Sequence, residues 1–114
     1  MTLKKYSLFI GRYQPFHSGH KQLMETVLKE GKNILIALRH TAIDINNPFT
    51  VRQRRKKIKK ELVDWIEKGQ VKIILIPDIT EVCYGRGVGY GIREIRLDAD
   101  IEKISATKIR KKTI

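Results

Sequence analysis

The sequence has a single cysteine, few aromatic residues and no long apolar run. Cys83 has no partner for an internal disulfide and no neighbouring cysteine that would suggest a structural zinc site or a redox pair. No apolar run approaches the roughly 18 residues that a membrane helix needs, and the amino end lacks the apolar stretch of a secretory signal. We therefore expect a soluble, cytoplasmic protein with no membrane partner.

Acidic residues are scarce relative to basic ones. Twenty-four Lys and Arg against twelve Asp and Glu leave a formal charge of +12, which favours polyanionic partners. Composition does not choose between nucleotide phosphates, nucleic acid and an acidic membrane surface. Aromatic residues are only 7% of the chain and the tyrosines are scattered, short of the stacking platform of single-strand binders. The length of 114 residues fits one compact domain, residues 1–114.

Hydrophobic patterning predicts alternating strands and helices. The predicted strands are Leu3 to Ile10, Asn33 to Leu38, Val71 to Ile76 and a short one near Ile92 to Leu97; the predicted helices are Ser18 to Glu30, one from Thr50 that ends at Gly69, and a last one from Ser105. This order is typical of right-handed crossover units. It predicts an α/β, Rossmann-like three-layer fold with a central parallel sheet and helices on both faces. Such sheets bind ligands at the carboxyl ends of their strands.

The loop after the first strand carries two histidines, in the stretch Gly11-Arg12-Tyr13-Gln14-Pro15-Phe16-His17-Ser18-Gly19-His20. His17 and His20 are three residues apart, so both project from about the same side of the first helical turn. Gly19 between them has no side chain to block a close approach. The helix start adds backbone amides and the positive end of the helix dipole, which together favour phosphate. The two imidazoles can donate hydrogen bonds to phosphate oxygens and stabilise the charge that develops during transfer.

A second group of candidate residues lies near the other end, in Ile104-Ser105-Ala106-Thr107-Lys108-Ile109-Arg110. Ser105 is a natural helix cap, Thr107 adds a hydroxyl, and Arg110 can hold phosphate through two parallel hydrogen bonds. This segment therefore predicts a second helix start that faces the same anion.

Both motifs together resemble those of the nucleotidylyltransferases of the cytidylyltransferase-like group. Gly11 to His20 is similar to the H-x-G-H motif in the form found in archaeal-type nicotinamide-mononucleotide adenylyltransferases, and Ile104 to Arg110 is similar to their I-S-x-T-x-I-R signature. Asn47 to Thr50 also resembles the loop before their second helix. By this resemblance the catalytic residues are His17, His20 and Arg110, and the nucleotide- or phosphate-binding residues are Gly11, Arg12, Gly19, Ser105 and Thr107.

The resemblance implies transfer of a nucleoside monophosphate from a nucleoside triphosphate to a phosphorylated small molecule. The acceptor phosphate attacks the α-phosphorus in line, pyrophosphate leaves, and Mg²⁺ bound with the triphosphate offsets charge. The form of Gly11 to Phe16 favours ATP over CTP. The acceptor stays open, because neither the Gly85 to Gly91 loop nor the short segment after Arg110 matches an acceptor pattern. A homodimer that completes the pocket is compatible with a short open sheet.

Other interpretations of the same residues stay open. The histidines suit a metal with His40 or Cys83 as a third ligand, although no ligand cluster accompanies them, so we expect no metal site built by the protein alone. They also suit an ordinary helix start without function. The basic run from Arg52 to Lys60 fits a solvated helix face, or attraction of phosphorylated ligands or RNA. The rival function is a basic nucleic-acid-binding module on a catalytically idle version of this fold.

Overall fold

The computed structural model describes residues 3–95 and contains one three-stranded parallel sheet with helices in its connections. Its elements are β1 Tyr6–Gly11, α1 Ser18–Leu28, β2 Asn33–His40, α2 Val51–Glu61, α3 Val63–Glu67 and β3 Val71–Pro77. The strands lie in the order β1-β2-β3, and both pairings are parallel. The predicted α/β, Rossmann-like class with a parallel sheet is confirmed.

The two glycines predicted to end helices adopt left-handed backbone conformations. Gly31 has φ of 78° and Gly69 has φ of 74°, a region that residues with a Cβ seldom occupy. The helix predicted from Thr50 to Gly69 is instead two helices, because the chain leaves helical geometry at Leu62 (φ −113°, ψ 19°). Leu62 itself is buried in the core, whereas no residue of α3 is fully buried.

The hydrophobic core lies between the helices and one face of the sheet. Parallel register aligns Phe9 with Ile36 and Ile36 with Ile73, which places these three side chains on one face. The residues packed with them are Met24 and Val27 of α1, Ile58 of α2, and Leu62 at the break between α2 and α3. On the alternate positions of β1, Leu8 and Ile10 are exposed. Within residues 3–95 the helices therefore cover the Phe9 face of the sheet.

The chain after β3 has no helix or strand from residue 78 to 95. The strand predicted near Ile92 to Leu97 is wrong for residues 92–95, which are irregular; its last two residues and the helix predicted from Ser105 lie outside the described residues. Arg93 anchors this stretch, since its two terminal nitrogens donate to the carboxylate of Glu30 at 2.7 and 2.6 Å. Cys83 is exposed. In the described part of the chain, every helix is too short or too polar to cross a bilayer.

Candidate functional site

The three strands end at one edge of the sheet because all of them run in the same direction. β1 ends at Gly11, β2 at His40 and β3 at Pro77. The loops that leave this edge are residues 12–17 and 41–50 and the stretch that begins at residue 78. The predicted histidines lie on the first of these loops and at the start of α1, so the edge is the candidate site.

His17 and His20 cap α1 reciprocally. The His17 Nδ1 accepts a hydrogen bond from the backbone N–H of Gly19 at 3.1 Å. The backbone N–H of His17 donates to Nδ1 of His20 at 3.0 Å. His17 is the N-cap and His20 the N3 residue, so two imidazoles form the capping box that a Ser or Thr usually forms with Glu or Gln. The sequence predicted a phosphate seat of unpaired amides here, but the amides of His17 and Gly19 are already paired.

This capping determines which nitrogen of each ring carries a proton. A nitrogen that accepts a hydrogen bond from an N–H cannot itself be protonated, so both Nδ1 atoms are bare. A neutral imidazole then carries its proton on Nε2. Burial keeps both rings neutral: it lowers the pKa of His17, and burial together with the neighbouring His17 lowers the pKa of His20 to about 3. Each ring therefore retains one donor, the Nε2–H, at physiological pH.

Aromatic rings surround the histidine pair. The imidazoles of His17 and His20 stack with their centroids 3.7 Å apart and their planes 23° apart. The Phe16 ring stacks near His20 at 5.4 Å, and the Tyr13 ring meets His20 edge-on at 4.9 Å. Phe16 and Tyr13 are both buried, so they form a low-dielectric wall, which accounts for the depressed pKa of His20.

Gly11 has a packing reason to lack a side chain. A Cβ built on Gly11 would lie 2.8 Å from Cζ of Tyr13, closer than any carbon contact allows. Tyr13 itself has φ of 52°, an uncommon conformation for a residue with a side chain. Its ring thus folds back over the end of β1 and reaches His20. The other glycine predicted for the site, Gly19, is buried and donates its amide to His17.

Gln14 fastens the histidine loop to the 41–50 loop. Its side-chain amide donates to the carbonyl of Phe49 at 3.1 Å and lies 3.4 Å from Oγ1 of Thr41, while its Oε1 accepts from the N–H of Phe49 at 3.0 Å. Gln14 and Thr41 are buried. The two loops are therefore held as one unit, a feature that sequence reasoning missed.

Arg12, predicted to bind nucleotide or phosphate, is exposed at the end of β1. Its Nη1 donates to Oδ1 of Asn47 at 3.1 Å. Nearby, hydrogen bonds from Asn47 and its neighbours lower the pKa of Asp44, and the Arg39 guanidinium lowers the pKa of Asp78. The positive charge of Arg12 contributes to both shifts, so Arg12 lies within electrostatic reach of two carboxylates at this edge.

Arg54 belongs to the basic run that the sequence assigned to a solvated helix face, but it is buried with 1% of its surface exposed. Its guanidinium donates to the backbone carbonyls of Arg12 and Arg39 at 2.7 Å each and to that of Phe49 at 3.2 Å. The signal that could have revealed it is spacing: Arg54 is three residues after Val51 and four before Ile58, on the inward stripe of α2.

Lys21 connects the start of α1 to the turn between α2 and α3. Its Nζ lies 5.4 Å from the ring centroid of Trp65, and it donates to the backbone carbonyl of Glu61 at 3.3 Å. Because Lys21 directly follows His20, this contact fixes the first turn of α1 against the core.

The other predicted site residues, Ser105, Thr107 and Arg110, lie outside the described residues. Residues 3–95 contain no cluster of three or more His, Cys, Asp or Glu with metal-binding geometry. The donors around the histidine loop are nitrogens, whereas Mg²⁺ prefers oxygen ligands. The histidine loop alone therefore does not form a magnesium cage.

The sequence of this edge matches a known family. Residues 8–75, more than half of the chain, match the cytidylyltransferase-like family model. That segment contains the described sheet from Leu8 to Leu75, the histidine loop and helices α1 to α3. The chain belongs to the cytidylyltransferase-like family, as its two motifs had indicated.

Similar proteins are nucleotide adenylyltransferases. The nicotinamide-nucleotide adenylyltransferase of Thermococcus sibiricus is 32% identical over 75 residues, which cover 63% of this chain and 40% of that protein. The nicotinamide/nicotinic acid mononucleotide adenylyltransferase of Acinetobacter baylyi is 40% identical over 55 residues, 46% of this chain and 29% of that protein. The Thermoplasma acidophilum nicotinamide-nucleotide adenylyltransferase is 36% identical over 64 residues, 52% and 34%. The chain thus spans two fifths or less of these relatives.

Proposed function

We propose that this chain transfers a nucleoside monophosphate from a nucleoside triphosphate to a phosphorylated small molecule and releases pyrophosphate. ATP is the favoured donor, since the similar proteins are named adenylyltransferases. Their names also make nicotinamide mononucleotide the first acceptor to test. The observation that carries the proposal is the pair of neutral, stacked imidazoles at the sheet edge, each with its Nδ1 committed to the backbone.

The chemistry follows from the protonation state of that pair. An oxygen of the acceptor phosphate bonds to the α-phosphorus while the bond from that phosphorus to the pyrophosphate oxygen breaks. Negative charge builds on the nonbridging oxygens, where the Nε2–H donors of His17 and His20 stabilise it. The acceptor phosphate is already an anion at neutral pH, so no base is needed to activate it. The imidazoles therefore serve as hydrogen-bond donors and do not exchange protons.

The remaining assignments belong to the same proposal. Arg12 would hold the acceptor phosphate, and Ser105, Thr107 and Arg110 would hold the outer phosphates of the donor. Gly11 and Gly19 would let the chain approach the triphosphate closely. Mg²⁺ would arrive with the triphosphate and offset its charge through phosphate oxygens. A homodimer, a cytoplasmic location and a single domain over residues 1–114 also remain predictions; size-exclusion chromatography with light scattering tests the first.

Pyrophosphate release tests the reaction directly. The protein would be incubated with Mg²⁺ and ATP or CTP, with and without nicotinamide mononucleotide, and pyrophosphate would be measured enzymatically. We expect release that requires both donor and acceptor and that falls by about 100-fold or more in His20→Asn, because one charge-stabilising donor is lost. Gln22→Ala, an exposed change two residues further along α1, is the matched control and should keep full activity.

Two results would count against this proposal. No pyrophosphate with ATP or CTP, across a panel of phosphorylated acceptors, would remove the enzymatic function. Full activity in a folded His20→Asn variant would remove the histidine pair from the mechanism.

Nucleic-acid binding is the second candidate function, favoured by the exposed face of α2. All the basic residues of this helix except Arg54 are exposed: Arg52, Arg55, Lys56, Lys57, Lys59 and Lys60. In the described part of the chain, Lys57 pairs with Glu61 at 3.4 Å. The inward face of α2 is occupied by the core, so the outer face offers charge without an exposed apolar stripe for a membrane.

Salt dependence tests this candidate. If the six cations neutralise phosphates, the logarithm of RNA affinity should fall with the logarithm of salt concentration at a slope of up to about −5. A variant with Lys56, Lys59 and Lys60 changed to Gln should lose about half of that slope. Absence of binding by fluorescence anisotropy at low salt would reject the candidate.

A further inference from the structure

Arg54 is a buried cation that donates hydrogen bonds to three backbone carbonyls. It is 1% exposed, and burial lowers its pKa, while Asp78 opposes that shift from a distance. Removing a guanidinium from water is costly unless its donors are satisfied. A leucine or methionine on the same inward stripe would have filled the space at no such cost. The charge therefore has a use other than packing.

The three carbonyls belong to the chain segments that form the candidate site. Nη1 of Arg54 donates both 2.7 Å hydrogen bonds, one to the carbonyl of Arg12, the first residue after β1, and one to that of Arg39, near the end of β2. Nε donates to Phe49, the residue just before the Thr50 cap of α2, at 3.2 Å. One side chain thus joins two neighbouring strand ends to the loop between β2 and α2.

A guanidinium suits this task because it is a rigid, planar set of five donors. The ammonium of a lysine is a single nitrogen and cannot reach three separated carbonyls in one plane. Nη2 of Arg54 is buried and has no hydrogen-bond partner within residues 3–95. The side chain is therefore placed to reach the three carbonyls even though one of its nitrogens is left without an acceptor. Charge-assisted bonds to carbonyls are short and directional, which suits alignment of backbone.

We infer that Arg54 is a positioning residue for nucleotidyl transfer, an inference that rests on the proposed function. Its hydrogen bond to the Arg12 carbonyl fixes the backbone just after β1. The Arg12 side chain projects from this backbone, and the chain continues from it into Tyr13 and the histidine pair. Gln14 holds the same loop from its far side through Phe49. Arg54 does not contact substrate in this scheme; it acts through the position of Arg12 and the imidazoles.

The test compares Arg54→Lys and Arg54→Met with Arg93→Lys. Arg93 is the matched control, because its fork also anchors the fold through a bidentate contact, but to Glu30 at the far end of α1. Imidazole ¹⁵N chemical shifts of His17 and His20, measured by NMR, give a readout that needs no activity. Steady-state pyrophosphate release gives kcat and the KM for ATP, and thermal unfolding gives the folded fraction.

We expect the folded Arg54→Lys variant to show altered His17 and His20 signals and a kcat at least about 10-fold lower, with KM for ATP changed less than about threefold. Arg93→Lys should leave the imidazole signals unchanged and kcat within about twofold. Wild-type imidazole signals in folded Arg54→Lys would overturn the inference even if the protein proves to have no transferase activity. If Arg54→Met does not fold, Arg54→Lys alone decides.

Discussion

The helices α1 and α2 begin with the same hydrogen-bond pattern and different side chains. In α2, Oγ1 of Thr50 accepts from the N–H of Gln53 at 3.1 Å, and the N–H of Thr50 donates to Gln53 at 2.8 Å. In α1, two imidazoles make the corresponding reciprocal contacts. The Thr50 cap is exposed, whereas the histidine cap is half-buried against aromatic rings.

This difference separates what a helix needs from what the site needs. α2 shows that Thr and Gln suffice to start a helix in this chain. Histidines at the same positions of α1 cost free energy, because their rings are desolvated and crowded. In exchange, each ring provides an Nε2–H donor. Capping alone would not require these histidines, which is why the proposed function assigns them to ligand binding.

Exchange of one cap for the other is the sharpest way to break this comparison. In the double variant His17→Thr, His20→Gln, α1 should keep a capping box of the α2 type and lose both imidazole donors. We expect stability to change by no more than about 1 kcal/mol, while kcat for pyrophosphate release falls by at least about 100-fold. Urea denaturation and steady-state kinetics check the two halves. If the unfolded fraction of the variant accounts for its whole loss of activity, the histidines act only by stabilising the helix.

Gly11→Ala tests the aromatic wall that only the α1 cap possesses. The new Cβ would lie 2.8 Å from the Tyr13 ring and would displace it from His20. We expect destabilisation of about 1–3 kcal/mol, as for other overpacked sites, measured by urea denaturation. Gly85→Ala is the control, since its Cβ would meet nothing within 4 Å. Equal effects of the two changes would contradict the packing role of Gly11.

Acid should weaken the protein through His20 and leave the α2 cap unaffected. The pKa of His20 is about 3 in the folded state, below its usual value of 6.5, so the unfolded chain binds the proton first as pH falls. The contribution of His20 is intact above pH 6.5 and is lost progressively from pH 6.5 towards pH 3. Between pH 6.5 and 5 we expect a loss of about 1–2 kcal/mol. The cap-exchange variant should lack this component of the pH dependence; an identical profile would be contrary evidence.

Thr50→Ala should have the smallest effect. Removal of the hydroxyl leaves the N–H of Gln53 without its side-chain partner, which typically costs about 1 kcal/mol. Thermal unfolding measures the change, and Thr50→Ser, which keeps the hydroxyl, is the control. The fall in kcat should be much smaller than that of the cap exchange. A larger fall would show that the α2 start also serves the reaction.

Much of the fold could be predicted from local pattern. Buried parallel strands appear as continuous apolar runs, and helices display their caps and terminal glycines, so β1 to β3, the Thr50 box and the role of Gly31 followed from sequence. The break at Leu62 did not, because the apolar spacing of α2 continues into α3. The strand expected at residues 92–95 was wrong, because these residues contain apolar side chains but do not pair with β1, β2 or β3.

The site was predictable in its residues and less so in its bonding. The spacing of His17 and His20 placed both rings at the start of α1, but their mutual capping, and hence their protonation, depends on side-chain conformations. The Gln14 clamp and the burial of Arg54 arise from contacts 15 to 42 residues apart in the chain. The burial of Arg54 was missed because its neighbours in the sequence are basic and exposed, although its position on the same helical stripe as Val51 and Ile58 indicated it.

The single tryptophan gives this molecule a built-in optical reporter. Trp65 lies under the ammonium of Lys21, the residue next to His20, and an overlying cation shifts indole emission. A ligand that draws the start of α1 towards its phosphates would change that distance and thus the emission spectrum. Titration of the unlabelled protein with ATP would follow occupancy of the site in real time without any attached dye. Lys21→Met, which lacks the cation, is the control and should show no such change in emission.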